Sequence, residues 1–269
     1  MSDRIASRFS ALRAQKRTAL IPFITAGDPL PDATVALMHA LVDAGADLIE
    51  LGVPFSDPMA DGPVIQHADE RALRHHVGIA GILEWVREFR ARDSDTPVVL
   101  MGYLNPVAIH DMERFACEAV EAGVDGVLIV DCPIEEDATL QPLRDAGLQR
   151  ILLAAPTTSD ARLARAIEAA EGYLYYVSFA GTTGAAKLST TDIAQRVSDL
   201  RRRAMVPVAV GFGIKDADSA RAVAEFADAV VIGSALVGML AGAISSEETC
   251  ARARAFLAPV RAAVDLARR

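Results

Sequence analysis

Short apolar segments rich in β-branched residues recur along the chain, and each is followed by a polar loop and a stretch with helical spacing. Such segments are typical of buried strands, and their regular alternation with helices is typical of parallel β/α units. We predict eight strands, at residues 20–25, 48–51, 98–101, 126–130, 151–154, 174–177, 208–210 and 229–232.

The segments between the strands carry the pattern of amphipathic helices. Ile79, Ile82, Leu83, Val86 and Phe89 recur at intervals of three and four, which places them on one face of a helix.

A closing helix is predicted near the carboxyl end of the chain, with a kink at Pro259. Its apolar face contains residues spaced four apart, namely Phe256, Val260 and Val264. Three arginines are predicted on its solvent-exposed face, namely Arg254, Arg261 and Arg268.

Eight β/α units in a chain of 269 residues, with no composition shift typical of a linker, predict an α/β fold. The expected form is a single-domain (β/α)8 TIM barrel over residues 1–269 with a short extra N-terminal helix. A doubly wound open sheet is the alternative. It normally has fewer strands and a G-x-G-x-x-G turn after the first one, which residues 25–29 lack.

Composition excludes several classes of protein. With 52% hydrophobic and 23% charged residues, the chain is globular rather than disordered. Its net charge of −9 argues against binding to nucleic acid. The three cysteines, Cys117, Cys132 and Cys250, are too scattered for a disulfide framework or a zinc site.

With no signal peptide or membrane span in the sequence, we expect a cytoplasmic protein.

Glu50 lies near the end of the second predicted strand, where barrels of this type carry their active site. Strand alternation places it on one face with Leu48, opposite Ile49 and Leu51. If those two residues pack against helices, Glu50 points into the barrel. A carboxyl group there has either a raised pKa, which suits a general acid or base, or a salt bridge in the core. No lysine or arginine lies at a nearby strand end, which favours the functional interpretation.

The loop that follows, residues 53–63, is long and contains three prolines. Long loops after barrel strands often carry function. Asp57 and Asp61 lie in this loop. The residues alone leave open whether each is a turn-forming acid or a second catalytic group.

Glycines follow the last two predicted strands, at Gly211-Phe212-Gly213 and Gly233-Ser234. Each segment is predicted to open a helix whose backbone N–H groups face an anion, at the place where barrels bind phosphate. Two tight turns are the alternative interpretation. The glycine-rich segment 178–187 is predicted to be a mobile lid, with an ordinary surface loop as its alternative.

The positions of the lysines and histidines argue against Schiff-base and metal-ion catalysis. None of the three lysines, Lys16, Lys187 and Lys215, lies in a strand, which argues against a Schiff base in the barrel. None of the five histidines lies at a strand end, which argues against a metal site. Acid–base chemistry by carboxylates on a small phosphorylated substrate is left.

The most distinctive segments are LIPFITAGDP at residues 20–29 and IELGVPFSDP with ADGP at residues 49–58 and 60–63. Further matching positions follow in order, at Tyr103, Asn105-Pro106, Asp131-Cys132-Pro133, residues 181–184, Gly211-Phe212-Gly213 and Gly233-Ser234. Over nearly its full length the chain thereby resembles the family of tryptophan synthase alpha subunits.

This resemblance implies a cofactor-free retro-aldol cleavage of indole-3-glycerol phosphate to indole and glyceraldehyde 3-phosphate. It implies that Glu50 is the acid–base residue and that Asp61 holds the indole N–H and stabilises positive charge on the ring. The substrate-binding residues that it implies are Phe23, Tyr103, Leu128, Tyr175, Thr183 and Phe212. The phosphate-binding residues that it implies are Gly184, Gly213, Gly233 and Ser234. Core packing is the alternative for the apolar members, above all for Leu128.

The resemblance also implies a partner, a tryptophan synthase beta subunit in an alpha2beta2 heterotetramer. Pyridoxal phosphate is then expected in the beta subunit, with no cofactor and no metal in this chain. Residues 54–61 and the segment around Asn105-Pro106 are expected to face the partner. Phe179 and Thr182 depart from the family pattern, which bears on lid closure and on communication with the partner.

Three other functions stay open on the sequence. A stand-alone indole-3-glycerol phosphate lyase shares the same residues and needs no partner. A sugar-phosphate isomerase or epimerase would keep the glycine turns but would not need Glu50 and Asp61 beside an apolar pocket. A non-catalytic regulatory subunit is disfavoured because both carboxylates are present.

Overall fold

Nine parallel strands form one sheet among the residues that the computed structural model describes, namely 3–177, 190–211 and 213–267. The strands are β1 (Ala19–Thr25), β2 (Ile49–Gly52), β3 (Val98–Gly102), β4 (Gly126–Ile129), β5 (Gln149–Arg150), β6 (Leu152–Ala154), β7 (Leu174–Val177), β8 (Val208–Gly211) and β9 (Ala229–Ile232). Their order is β5-β4-β3-β2-β1-β9-β8-β7-β6. The first and last strands are therefore neighbours, as in a barrel.

The sheet closes where two short strands replace the predicted strand at residues 151–154. β5 pairs with β4, and β6 pairs with β7. Only Ile151 separates the two, and its N–H donates to the Val127 carbonyl of β4 at 2.9 Å. At the break, the Arg150 N–H donates to Oε2 of Glu171 at 2.8 Å. The two strands share one barrel position, and the predicted (β/α)8 barrel is confirmed.

Helices surround this barrel, and the first of them closes an end of it. Those in the described ranges are α1 (Arg4–Ala14), α2 (Thr34–Asp43), α3 (Pro63–Arg74), α4 (Ile79–Arg90), α5 (Leu104–Ile109), α6 (Met112–Ala122), α7 (Gln141–Asp145), α8 (Asp160–Ala169), α9 (Thr190–Arg203), α10 (Ala217–Ala224), α11 (Ser234–Leu240) and α12 (Ser246–Asp265). The predicted apolar face of α4 is confirmed, because all five of its residues are buried. None of the helices within these ranges is long and apolar enough to cross a membrane.

The extra helix α1 packs against the inside of the barrel. Its buried residues Ile5, Phe9 and Leu12 belong to one cluster with residues that point inward from the strands. The Phe9 ring lies 6.1 Å from the ring of Tyr173, measured between centroids. The predicted extra N-terminal helix is confirmed, and it fills one end of the barrel with apolar side chains.

Alternation along the strands separates an inner from an outer layer. Leu48 belongs to the inner cluster, whereas Ile49 and Leu51 pack in the outer cluster with residues of the covering helices. Glu50 therefore points inward, because successive strand residues face opposite sides.

One prediction for the closing helix is wrong. α12 runs through Pro259 and leaves Arg254 exposed, but Arg261 is 7% exposed rather than solvated. Its guanidinium donates to Asp47 at 2.8 Å and to the Thr18 carbonyl at 3.1 Å. The helix packs closely against α2 and α10, so this arginine is buried and needs a buried acceptor.

Candidate active site

Glu50 is fully buried inside the barrel, with 0% of its surface exposed. The Tyr173 hydroxyl donates to its Oε1 at 2.5 Å, and its Oε2 has no hydrogen-bond partner among the residues that the structure describes. Burial raises the pKa of Glu50 to about 7, while the hydrogen bond from Tyr173 acts in the opposite direction. At neutral pH this carboxyl group can both donate and accept a proton, which is what general acid–base catalysis requires.

Two tyrosines of one strand segment lie on the same side as Glu50. Tyr173 is fully buried, and Tyr175 packs on the same inner cluster two residues later. Burial raises the pKa of the Tyr175 hydroxyl, and the charges of Glu50 and Asp61 raise it further. Tyr175 therefore lies within electrostatic reach of both predicted catalytic residues.

Gly211 makes room for Tyr175. A Cβ atom at this position of β8 would overlap the Tyr175 hydroxyl, so the ring can hold its place only beside a glycine. Sequence reasoning assigned a role to Tyr175 but missed Tyr173. The two tyrosines are two residues apart in a strand segment, and this spacing indicates that both side chains face the same side of the sheet.

Asp61 lies in the loop between β2 and α3 and is half-buried. The Tyr103 hydroxyl donates to its Oδ2 at 2.7 Å and accepts a hydrogen bond from the Ala60 N–H at 3.0 Å. The ring of Phe55 lies 5.0 Å from that of Tyr103, between centroids, and helps to fix it. Burial raises the pKa of Asp61, and the hydrogen bond from Tyr103 partly offsets this effect.

Asp57, the other candidate acid of the loop, lies apart from this arrangement. Its side chain is exposed and accepts a hydrogen bond from the neighbouring Ser56 hydroxyl at 2.6 Å. The structure thus separates two acids that the spacing of the loop alone left equivalent, and of the two Asp61 is the one that lines the site.

A small cavity lies between Asp61 and the mouth of the barrel. Its free volume is about 10 Å³, close to the room that one water molecule needs and far below the usual size of ligand pockets. Its lining is mostly apolar and consists of Phe23, Gly52, Val53, Asp61, Ile65, Asp69, Met101, Gly102, Tyr103 and Val130. Gly52 is required here because a Cβ atom would come within 2.6 Å of the Phe23 ring.

The structure brings two of the predicted substrate-binding residues, Phe23 and Tyr103, to this cavity. Leu128 instead lies in the inner cluster with Leu48 and is fully buried. Met101 and Val130, which sequence reasoning did not select, line the cavity.

Asp69 is a second acid of the cavity and was missed in the sequence. It lies on α3, within a stretch that reads as an ordinary amphipathic helix, and is 4% exposed. Burial raises its pKa to about 7, and the charge of Asp61 contributes in the same direction.

The predicted phosphate-binding residues lie at the ends of two adjacent strands. Gly213 follows β8, has a left-handed φ of +63° and is exposed, whereas Gly233 and Ser234 follow β9. Ser234 opens α11, and no described side chain caps this helix start.

The prediction that Gly213 opens a helix is wrong. α10 begins only at Ala217, and its first N–H groups are capped by the Asp216 side chain. Because Asp216 and Ser219 form a reciprocal capping pair, that helix start is already satisfied.

Several predicted residues lie outside the described part of the chain. They are the substrate-binding residues Thr183 and Phe212, the phosphate-binding Gly184, and the two departures Phe179 and Thr182.

Comparisons with known proteins identify the family of the chain. A family model described as tryptophan synthase alpha chain matches residues 9–264. The tryptophan synthase alpha chain of Xylella fastidiosa (strain 9a5c) is 59% identical over 263 residues, covering 97% of this chain and 98% of that protein. The one from Xanthomonas oryzae pv. oryzae (strain MAFF 311018) is 60% identical over 266 residues, covering 98% and 99%.

A solved structure shows the same fold. The crystal structure of tryptophan synthase subunit alpha from Legionella pneumophila str. Paris superposes with a TM-score of 0.92 at 44% identity, covering 98% of this chain and 99% of that one. The chain with Glu50 inside its barrel and Asp61 at the cavity therefore belongs to the tryptophan synthase alpha chain family.

Proposed function

We propose that this chain catalyses the alpha reaction, the retro-aldol cleavage of indole-3-glycerol phosphate to indole and glyceraldehyde 3-phosphate. This makes it a carbon–carbon lyase of tryptophan biosynthesis. The observation that carries the proposal is the buried carboxyl group of Glu50, whose pKa is near neutrality. Glu50 and Asp61 both act electrostatically on the hydroxyl of Tyr175. The lining of the cavity beside Asp61 is mostly apolar, which suits an aromatic ring, and its side chains have to move apart to admit one.

Glu50 acts twice in the proposed reaction. Its protonated form gives a proton to C3 of the indole ring, which leaves a positive charge on the ring. As carboxylate, Glu50 then takes the proton of the glycerol hydroxyl next to the scissile bond. The carbon–carbon bond breaks, its electrons return to the ring to give indole, and the oxygen becomes the aldehyde carbonyl. General acid–base catalysis of this kind contributes about 10²–10⁴-fold to a rate.

Asp61 holds the ring during this step. Its carboxylate accepts the indole N–H and stabilises the positive charge that appears after C3 is protonated. The hydroxyl of Tyr103 orients this carboxylate through the 2.7 Å hydrogen bond, and Phe23 lines the apolar part of the same cavity.

The phosphate group is placed at the ends of β8 and β9. Gly213, Gly233 and Ser234 lie there on adjacent strands, in the region where barrels commonly bind phosphate. Gly184 is proposed to complete this site, and Thr183 to close over Asp61, both from the segment after β7.

We also propose that the chain works with a beta subunit that carries pyridoxal phosphate and takes up the indole, in an alpha2beta2 heterotetramer in the cytoplasm. This chain then needs no cofactor of its own, because Glu50 and Asp61 supply the proton transfer and the charge. Met59 and Ile109 support the partner proposal, since each is 79% exposed and lies in one of the two segments expected to face a beta subunit.

The experiment measures indole released from indole-3-glycerol phosphate by the purified chain, alone and with a tryptophan synthase beta subunit. We expect slow release that rises strongly with the partner and is lost in Glu50→Gln and in Asp61→Asn. Glu84→Gln, an exposed acid of α4, is the matched control and should keep full release. Full activity of the chain alone would instead identify a stand-alone lyase. No indole under any condition would overturn the proposed reaction.

A further inference from the structure

Asp69 is a buried acid for which the proposed reaction has no use. Its side chain lies at the wall of the cavity that also contains Asp61. No ion pair to Asp69 occurs in the described parts of the chain. The cation closest in sequence, Arg71, donates instead to both carboxylate oxygens of Asp28, at 2.6 and 3.0 Å.

Among the residues that the structure describes, the donors that reach this carboxyl group are neutral. The Phe55 N–H donates to it, and the Thr25 hydroxyl lies 3.5 Å from its Oδ1, which is a long contact. Two neutral donors compensate poorly for the hydration that a buried carboxylate loses. An acid in such a place keeps its proton to a higher pH than an exposed one.

The other ionisable groups around Asp69 are also acidic or already engaged. Asp61 and Asp28 both raise its pKa, and the Tyr103 hydroxyl is directed to Asp61 rather than to Asp69. β1 and α11 pack against α3, and neither carries an ionisable side chain. Because two carboxylates that face one small cavity repel each other, one of them holds a proton over a range of pH.

We propose that Asp69 is the member of the pair that holds this proton, and that it thereby acts as a positioning residue that leaves Asp61 as the one anion among the described residues that line this cavity. Asp69 is the more deeply buried of the two, and Asp61 has the stronger hydrogen-bond donor in Tyr103. The inference rests on the proposed function, because Asp61 receives the ring N–H in that reaction.

This arrangement has a consequence for binding. With Asp69 neutral, Asp61 is the one carboxylate that lines this cavity when the ring binds, and Glu50 becomes an anion only after it has given its proton to the ring. When Asp69 also ionises, near pH 7, the cavity holds a second carboxylate. Binding of an apolar ring then removes water from this carboxylate, which costs free energy. The affinity for the ring therefore falls as the pH rises through this range.

The binding test uses indole itself, which does not ionise in this range, and the Glu50→Gln protein, which lacks the other group that titrates near pH 7. The dissociation constant of indole is measured by calorimetry between pH 6 and pH 8.5. We expect it to rise several-fold across this range in Glu50→Gln and to stay constant in Glu50→Gln/Asp69→Asn. Glu50→Gln/Glu70→Gln removes an exposed acid from the same helix and should behave like Glu50→Gln.

Stability against urea provides a second readout that needs neither ligand nor activity. If Asp69 holds a proton in the folded state, the unfolding equilibrium constant of Glu50→Gln rises with pH between pH 5 and pH 7, by up to tenfold per pH unit from this group. Glu50→Gln/Asp69→Asn lacks this contribution, so its equilibrium constant rises less steeply over the same range. A merely structural role would change the stability by the same amount at every pH. Parallel stability curves in these two variants would overturn the inference, even if the wild-type chain releases indole. A steeper curve in Glu50→Gln would uphold the proton on Asp69 even if the proposed reaction failed.

Discussion

The hydroxyl of Tyr173 donates a 2.5 Å hydrogen bond to Oε1 of Glu50 across 123 residues of sequence, inside the barrel. The donor favours the charged form of the carboxyl group, whereas burial favours the neutral form. Their balance leaves the pKa of Glu50 at about 7. The tyrosine therefore sets the pH range in which Glu50 can act as an acid.

Removing the hydroxyl in Tyr173→Phe should raise the pKa of Glu50 further, because the carboxylate loses a donor while burial stays. Glu50 enters the proposed reaction protonated, so the decline of indole release at alkaline pH should move upward by about one pH unit. The measurement is the pH profile of kcat. Tyr176→Phe is the matched control, since this hydroxyl lies on the outer face of the same strand and is buried without a partner in the described structure. Coinciding profiles of Tyr173→Phe and wild type would contradict the role of the hydrogen bond.

The buried Glu50 should make stability depend on pH. Its pKa is about 7 in the folded chain and near 4.5 when unfolded, so the folded state binds a proton that the unfolded state lacks between these values. Stability is therefore highest at the acidic end and falls as the pH rises towards 7, by up to about 3 kcal/mol. Urea titrations from pH 5 to pH 8 should show a flatter decline in Glu50→Gln than in wild type. Glu84→Gln should follow the wild-type curve, and a Glu50→Gln curve of wild-type slope would refute the raised pKa.

Gly211→Ala should disturb Tyr175. The new Cβ atom would overlap the tyrosine hydroxyl, so the ring must move away from its place near Glu50 and Asp61. We expect indole release to drop at least tenfold. Gly81→Ala places a Cβ atom in open space on α4 and serves as the control. Full activity in Gly211→Ala would show that the overlap is relieved without cost.

Ser234→Asp should weaken binding of the phosphate end of the substrate. A carboxylate at the first residue of α11 repels the phosphate dianion. The expected result is a rise of at least tenfold in KM for indole-3-glycerol phosphate, with the affinity for indole unchanged. Ser10→Asp adds the same charge on α1, at the other end of the barrel. An unchanged KM in Ser234→Asp would remove Ser234 from the proposed phosphate site.

Arg261→Met should destabilise the fold without touching the site. It leaves Asp47, which is 5% exposed, without its cation. Breaking a buried ion pair from one side costs about 3–5 kcal/mol. Urea denaturation should show this loss, and Asp47→Asn in the same chain should restore part of it. Arg254→Met breaks an exposed pair with Asp43 and should cost about 1 kcal/mol or less. Equal losses in the two arginine variants would contradict the distinction between buried and exposed pairs.

Local periodicity predicted the elements of the fold because it reflects which side of a segment is buried. The alternation at residues 48–51 predicted the inward direction of Glu50, and the spacing along α4 predicted its buried face. Periodicity did not predict β5, because its residues Gln149 and Arg150 are polar. It also did not predict the burial of Arg261, which forms an ion pair with Asp47. The side chain of Arg150 is buried with Asp137 and that of Arg261 with Asp47, and a local hydrophobic pattern contains neither pairing.

The sequence by itself determined the barrel, the family resemblance and the two acids of the proposed chemistry, because short motifs and local periods carry that information. Only the tertiary structure paired Asp61 with Tyr103, joined Tyr173 to Glu50 and brought Asp69 to the wall of the same cavity. These relationships depend on how β2, α3 and β7 come together when the barrel closes. The pKa of each acid follows from the burial and the donors that this closure creates, and neither exists in the chain before it folds.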